Sequence, residues 1–302
     1  MTAVDRGRYS CVISAGPGAA DRRVTAIKAR ELVRGSVVVA DMVSLAGDVS
    51  GAPGTLARIV RVAPRSSALR RSADDTDPVE RVIVANAEQL GIVSALANPP
   101  PRLRLIDRFL VAAYDAGLDP LLLLTKADLA SADDVLAAYA PLRIRYVVSG
   151  RPLADAVRDE LATQLAGKIS VLVGHSGVGK STLVNALVPD ASRAVGTVSP
   201  VTGRGRHTSS SVVALRLPRG GWLIDTPGLR GFGLGHISAD RVVRAFGDLA
   251  EGIADCPPGC THLTAGCALD CWVGEHDEGA ALAVRLDSLR RLLRSREGHD
   301  DG

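Results

Sequence analysis

Aromatic side chains are scarce, with four Tyr, three Phe and two Trp in 302 residues. Tyr9 is the only aromatic residue in the first 65. A nucleic acid meeting that part of the chain would find few rings to stack on. Phosphate contacts from Arg6, Arg8, Arg22, Arg23, Lys28 and Arg30 are the expected mode instead. No apolar run approaches the roughly 18 residues of a membrane-spanning helix. The opening Met-Thr-Ala-Val-Asp-Arg lacks the apolar core of a signal peptide, so a cytoplasmic protein with no membrane partner is expected. Net charge is small, +3, but unevenly placed. Residues 1–71 hold twelve Lys/Arg against five Asp/Glu, and the remainder is slightly acidic. A basic first third suggests a polyanionic partner; an ordinary solvated surface is the plainer alternative. Cysteine is sparse too. Cys11 stands alone, and the other four, Cys256, Cys260, Cys267 and Cys271, crowd into 16 residues. In a cytosolic protein that crowding points to a metal rather than to disulfides.

What is present falls into three textures. Residues 1–65 read as short strands (8–13, 22–30, 36–40, 42–45 and 57–62) between Gly, Pro and Asp turn signals. Five short strands predict a small β-barrel of the oligonucleotide-binding (OB) type. Residues 66–80 are polar and read as a linker. From Glu80, strands at 82–85, 91–96, 121–124 and 144–148 alternate with helices at 103–116, 133–139 and 153–165, which predicts a parallel, doubly wound sheet. After Gly235 come a helix at 238–250, the Cys/His cluster and a helix at 277–296. In that last helix Leu282, Leu286, Leu289 and Leu293 share one face. Arg285, Arg290, Arg291, Arg294 and Arg296 make it basic elsewhere; a packed, solvated helix is the default reading and an RNA-facing one the lesser. The expected domains are 1–70, an OB-type RNA-binding barrel; 71–236, an α/β nucleotide-binding domain; and 237–302, a mostly helical metal-binding domain.

The most specific stretch is Gly174-His175-Ser176-Gly177-Val178-Gly179-Lys180-Ser181, which fits the phosphate-loop pattern G-x-x-x-x-G-K-[ST]. An apolar, β-branched run, 169–173, precedes it, and a helical pattern begins at Ser181-Thr182. The loop therefore opens a helix whose unpaired amides and dipole face an anion. Lys180 would reach the β- and γ-phosphates, and the Ser181 hydroxyl would bind Mg²⁺.

Two further turns complete a guanine-nucleotide site. The apolar run 222–224 ends in Asp225-Thr226-Pro227-Gly228. There Asp225 can hold an Mg²⁺-bound water, and the Gly228 amide can meet a γ-phosphate. The run 121–124 ends in Thr125-Lys126-Ala127-Asp128, a variant of the [NT]-K-x-D turn. Its Asp accepts two hydrogen bonds from guanine, and adenine would leave that carboxylate unpaired. Ser149-Gly150 follows the next strand, where a backbone amide meets guanine O6. The order is inverted relative to an ordinary GTPase: the base-reading turns precede the phosphate loop. That is a circular permutation, tolerated where chain ends lie close at the surface.

These residues, with Gly203-Arg204-Gly205-Arg206-His207-Thr208 and the run 225–234, resemble the circularly permuted ribosome-biogenesis GTPases of the RsgA (YjeQ/YloQ) family over nearly the whole chain. The resemblance implies GTP hydrolysis with Mg²⁺, binding to the 30S small ribosomal subunit late in its maturation, contact with 16S rRNA, activation by the subunit, a monomer and no DNA partner. It makes Thr208 the switch threonine that closes on Mg²⁺ and γ-phosphate. Small GTPases often carry a water-orienting Gln after D-x-x-G; here Leu229 stands there, and His207 is the candidate to take its place.

The cluster Cys256-x₃-Cys260-x-His262-x₄-Cys267 offers three thiolates and an imidazole, a closed tetrahedral Zn²⁺ site of structural type. The family spacing has one more residue in both longer gaps, so Cys271 remains an alternative to Cys267. Other functions weighed are a permuted GTPase of the large subunit, an RNA-binding protein with a vestigial nucleotide site, and a phosphate-loop ATPase or kinase. Intact Lys180, Ser181, Asp225 and Asp128 speak against the second, and Asp128 with Ser149 against the third.

Overall fold

The computed structural model describes residues 1–14, 21–32, 37–72, 79–189, 212–226, 233–234, 236–244, 246–264, 266–276 and 279–296. Its centre is a parallel sheet. The strands β8 (Gln89–Ala95), β9 (Asp119–Thr125), β10 (Arg145–Val148), β11 (Ile169–Val173) and β13 (Trp222–Asp225) lie in the order β10-β9-β8-β11-β13. All pair in parallel, with Val171 opposite both Leu90 and Ile224. β12 (Val213–Arg216) runs antiparallel on the far side of β13. Every residue of β8 is buried, the near-continuous apolar texture of a strand covered on both faces.

Helices cover both faces. α1 (Leu103–Asp115) and α2 (Asp133–Tyr139) connect the first three parallel strands. α3 (Asp155–Leu165) leads to β11, and α4 (Lys180–Leu187) leaves it. One face carries α1 and the C-terminal helices around Phe109, Leu124, Phe246 and Leu289; the other carries α3 and α4 around Leu161, Leu172 and Leu183. Because β11 returns beside β8 while the chain continues to β13, a crevice opens at the strands' carboxyl ends. Open α/β sheets bind ligands at such a reversal.

The N-terminal strands are β1 (Ala3–Asp5), β2 (Arg8–Ile13), β3 (Arg22–Lys28), β4 (Val43–Gly47) and β5 (Ala57–Val62), with their own small core around Tyr9, Val24 and Ile59. They are not a free-standing sheet. β1 pairs with β12 through Ala3↔Val213, so one eleven-stranded mixed sheet runs from β10 to β4. Their order is β1-β2-β3-β5-β4, with β3 and β5 parallel. Met1 exchanges backbone hydrogen bonds with Ala40 and Asp41, ahead of β4.

Three local expectations need correction. The stretch 66–80 is in part a strand: β6 (Ala68–Arg71) pairs antiparallel with β7 (Arg81–Ala85), burying Leu69 and Val84 in the main core. Of its polar letters, Arg70 and Arg71 are half-buried on that strand and Ser72 is buried. The strand expected at 36–40 is, among the described residues, a single bridge from Val39 to Val84. Its neighbour Asp41 is buried and accepts two hydrogen bonds from Arg65, which leads from β5 into β6. The helix expected at 238–250 is two pieces, α5 (Ala239–Arg244) and α6 (Gly247–Ala250). Glycine costs about 1 kcal/mol in a helix interior, and Gly247 opens the second piece instead of continuing the first. A further short helix, α7 (Ala268–Glu275), had no signal of its own among the cysteines and glycines. The last helix, α8 (Gly279–Arg296), buries Leu282, Leu286, Leu289 and Leu293, the face read from the sequence.

Candidate guanine-nucleotide site and metal cluster

β11 ends at Val173 and leads into Gly174, whose φ of +155° and close approach to β8 exclude a side chain: an added Cβ would sit 2.4 Å from the Val93 carbonyl oxygen. Gly179 is the N-cap of α4 at φ +97°, a left-handed conformation that favours glycine. Among the described residues no side chain caps α4, which leaves its first amides for a ligand. Lys180 begins the helix, is buried, and reaches back to the Gly174 carbonyl at 3.4 Å. Ser181 and Thr182 are exposed in the first turn, as are Ser176 and Gly177 on the loop. His175 is half-buried, its Nδ1 2.9 Å from the Ser176 carbonyl, and the Val178 side chain is buried.

Across the sheet, Leu172 is in register with Asp225. Burial holds the Lys180 amine below its ordinary pKa and the Asp225 carboxyl above its own; each charge partly relieves the other. Asp225 Oδ1 is buried and has no hydrogen-bond partner among the described residues. An orphaned carboxylate oxygen near Lys180 fits a hydrated Mg²⁺, whose charge would favour the ionised acid. Thr226 donates to the Leu172 carbonyl at 2.7 Å and pins the start of the D-T-P-G turn to β11. Gly228, His207 and Thr208 lie outside the described residues, as do Arg204, Arg206 and Leu229.

The base-reading turns are built onto the phosphate loop. Thr125 is buried and donates to the Val178 carbonyl at 2.5 Å. Lys126, at φ +62°, sends its amine to the Gly177 carbonyl at 2.9 Å and to the Asn98 carbonyl. Ser149 is buried; its amide donates to Leu124 and its carbonyl accepts from Ala127. Gly150 lies against Asp128, and the Arg151 amide donates to Asp128 Oδ1 at 2.8 Å. Asp128 is exposed. The described residues of the phosphate loop and of the two base-reading turns therefore contact one another at the carboxyl ends of β9, β10 and β11. Sequence reasoning passed over Arg151, although it directly follows Ser149-Gly150.

The C-terminal cluster is equally compact. The ligand atoms of Cys256, Cys260, His262 and Cys267 all lie within 4.8 Å of one another. Cys267 Sγ is 3.5 Å from Cys256 Sγ, 3.9 Å from Cys260 Sγ and 3.5 Å from His262 Nδ1. A tetrahedron with metal–sulfur bonds of about 2.3 Å has edges of about 3.75 Å, so the donors fit one ion. Cys271 is exposed and stands outside the group. Without a cation, burial and the neighbouring thiols push the Cys267 thiol up to about 12; a bound metal would reverse that. Asp240 Oδ1 lies 3.0 Å from His262 Nε2, which leaves Nδ1 to face the thiols. Carboxylates orient metal-bound imidazoles in this way. Asp240 is 22 residues from His262, on α5, and no sequence spacing marks it.

Fold and site define a phosphate-loop GTPase whose sheet is assembled in circularly permuted order. The sequence model of the RsgA GTPase family matches residues 62–235. The chain is 41% identical over 245 residues to the small ribosomal subunit biogenesis GTPase RsgA of Pseudomonas aeruginosa, covering 78% of this chain and 70% of that one. Its fold is similar to the crystal structure of YloQ, a circularly permuted GTPase, with a TM-score of 0.64 and 22% identity over 100% of this chain and 95% of the other. YjeQ from Thermotoga maritima gives 0.61 and 24% over 92% of each. The chain belongs to the RsgA GTPase family and is a GTP-hydrolysing enzyme. No helix among the described residues is long and apolar enough to cross a membrane.

Proposed function

We propose that this enzyme hydrolyses GTP to GDP and phosphate as a late step in maturation of the small ribosomal subunit, in the cytoplasm. The observation that carries the reading is the joining of the Thr125–Asp128 turn to the phosphate loop through Val178 and Gly177, with Ser149 bonded in turn to Ala127. Asp128 selects guanine by its free carboxylate edge. Lys180 and the α4 amides hold the phosphates, while Ser181 and Asp225 would hold Mg²⁺, which supplies charge neutralisation at the phosphates. Thr208 and the Gly228 amide are assigned to the switches that sense the γ-phosphate, and His207 to orienting the attacking water. Triphosphate favours subunit binding, and hydrolysis favours release.

The N-terminal strands are read as an OB-type RNA-binding barrel contacting 16S rRNA. Their 1-2-3-5-4 order and the Met1 contacts to Ala40 and Asp41 support that reading, as does the excess of arginine. The third unit is read as a zinc-binding helical domain, and the protein as a monomer without DNA or membrane partners. The RsgA relative's name supports the subunit assignment. Turnover of GTP and ATP, each with isolated small or large ribosomal subunits, tests it. GTP hydrolysis stimulated by small subunits is expected; equal use of ATP, or stimulation by large subunits alone, overturns the proposal.

A further inference from the structure

Arg151 occupies an unusual place in the nucleotide crevice. Its amide holds Asp128 Oδ1 at 2.8 Å, at the base-reading edge. Its side chain runs the other way, to the first turn of α4, where Nη2 donates to Thr182 Oγ1 at 3.0 Å. One residue thus spans the path between the group that reads guanine and the amides that hold phosphate. A nucleotide carries its ribose and α-phosphate over that path.

The hydroxyl is a poor partner for this cation. A guanidinium has five N–H donors and suits carboxylate or phosphate oxygens two at a time. Other described arginines of this domain pair with carboxylates: Arg145 with Asp119, Arg158 with Asp155 and Arg219 with Asp159. Arg151 is exposed and pairs with no carboxylate among the described residues. It stands beside a helix N-terminus that no side chain caps. A guanidinium and a helix N-terminus thus stand at one edge of the crevice, and among the described residues no carboxylate pairs with that guanidinium.

We propose that Arg151 is a nucleotide-binding residue whose guanidinium leaves Thr182 and takes the α-phosphate of bound GDP or GTP. The backbone of the same residue keeps Asp128 in register, so base and phosphate recognition are tied through one position. The inference rests on the reading of Asp128 and the phosphate loop as one guanine site. It predicts a charge effect shared by both nucleotides, because both carry the α-phosphate, and no effect on base choice, because any residue keeps the amide.

Binding of GDP, GTP and ADP with Mg²⁺ to the full chain tests this in Arg151→Met and Arg151→Lys. Methionine keeps an apolar stem that could still cover a base but carries no charge. Arg151→Met should weaken GDP and GTP alike by roughly tenfold. Its GDP-to-ADP preference should stay within about twofold of the parent, because the amide bond to Asp128 remains. Arg151→Lys should recover part of the loss. Unchanged affinity in Arg151→Met, a loss confined to GTP, a collapse of base preference, or equal loss in the Lys and Met variants would each overturn the proposal. Failure of the guanine reading looks different: the parent protein itself would then bind ADP as well as GDP.

Discussion

Thr125 donates its hydroxyl to the Val178 carbonyl, linking the turn after β9 to the middle of the phosphate loop across 53 residues of sequence. The bond is buried, and Gly179 leaves just enough room for it: a Cβ there would lie 3.4 Å from the Thr125 oxygen. The Val178 carbonyl thus has a fixed partner, and the loop is held in shape beside the turn that reads the base.

Removing that hydroxyl should therefore reach the phosphates. Thr125→Val keeps the side-chain shape and leaves the Val178 carbonyl buried without its partner, at a cost of about 1–3 kcal/mol. GDP affinity in a fluorescent-nucleotide titration should fall roughly tenfold. Thr125→Ser keeps the hydroxyl and should bind within about threefold of the parent. Parent-like binding by Thr125→Val would mean that the bond does not shape the loop.

The same bond shows which parts of the site could be read from sequence. The phosphate loop, D-T-P-G and T-K-A-D each sit at a strand end, and their patterns are local, so the residues were identifiable one turn at a time. β8, β9 and β11 were legible because continuous apolar runs survive burial on both faces. Long-range pairings left no such mark. Arg65 with Asp41 and Asp240 with His262 join elements 24 and 22 residues apart, and neither pair has a fixed spacing. β6 was hidden because only Leu69 of its four residues is fully buried, which gives no alternation to detect. The joining of β1 to β12 depends on two short strands meeting across 210 residues, a contact no periodicity can report.

The metal cluster gives a sharper discrimination. Cys267 is buried among the other donors, whereas Cys271 is exposed and apart. Elemental analysis of Cys267→Ser should show loss of the one bound zinc expected in the parent. Cys271→Ser should retain it. Asp240→Asn weakens the acceptor that orients His262 and should lower zinc affinity by about 10–100-fold in a chelator competition. Retention of zinc by Cys267→Ser with loss in Cys271→Ser would reverse the ligand assignment.

The role assigned to His207 follows from the residue that stands where small GTPases often place glutamine after D-x-x-G. With Leu229 at that position, no side chain there can orient water, and intrinsic turnover should be slow. His207→Ala should keep nucleotide affinity and lose most of the stimulation by small subunits. Single-turnover hydrolysis with saturating subunits measures this. Full stimulation in the variant would remove His207 from the reaction.

The last helix is fastened to the GTPase sheet by a charge contact with a defined pH signature. Asp107 on α1 is buried, accepts the Tyr139 hydroxyl at 2.8 Å, and lies 3.1 Å from Arg291 Nε on α8. The Arg291 guanidinium also covers the Tyr139 ring at 4.9 Å. Burial raises the Asp107 carboxyl above its ordinary range, and Arg291 and then Tyr139 pull it back. An acid whose folded pKa is raised binds its proton more tightly in the folded chain. Its contribution to stability therefore falls as pH rises from the unfolded value, about 3.9, through the folded one. Arg291→Met removes the main opposing charge and moves that folded pKa further up. The loss should be about 2 kcal/mol near neutral pH, below that of a fully buried pair because Arg291 is 34% exposed. It should shrink toward about pH 4, where Asp107 takes up its proton in both proteins. Adding Asp107→Asn to Arg291→Met removes the stranded charge and should restore part of the neutral-pH stability. Thermal unfolding across this pH range checks all three. A pH-independent loss would reduce the contact to packing of the arginine stem on Tyr139.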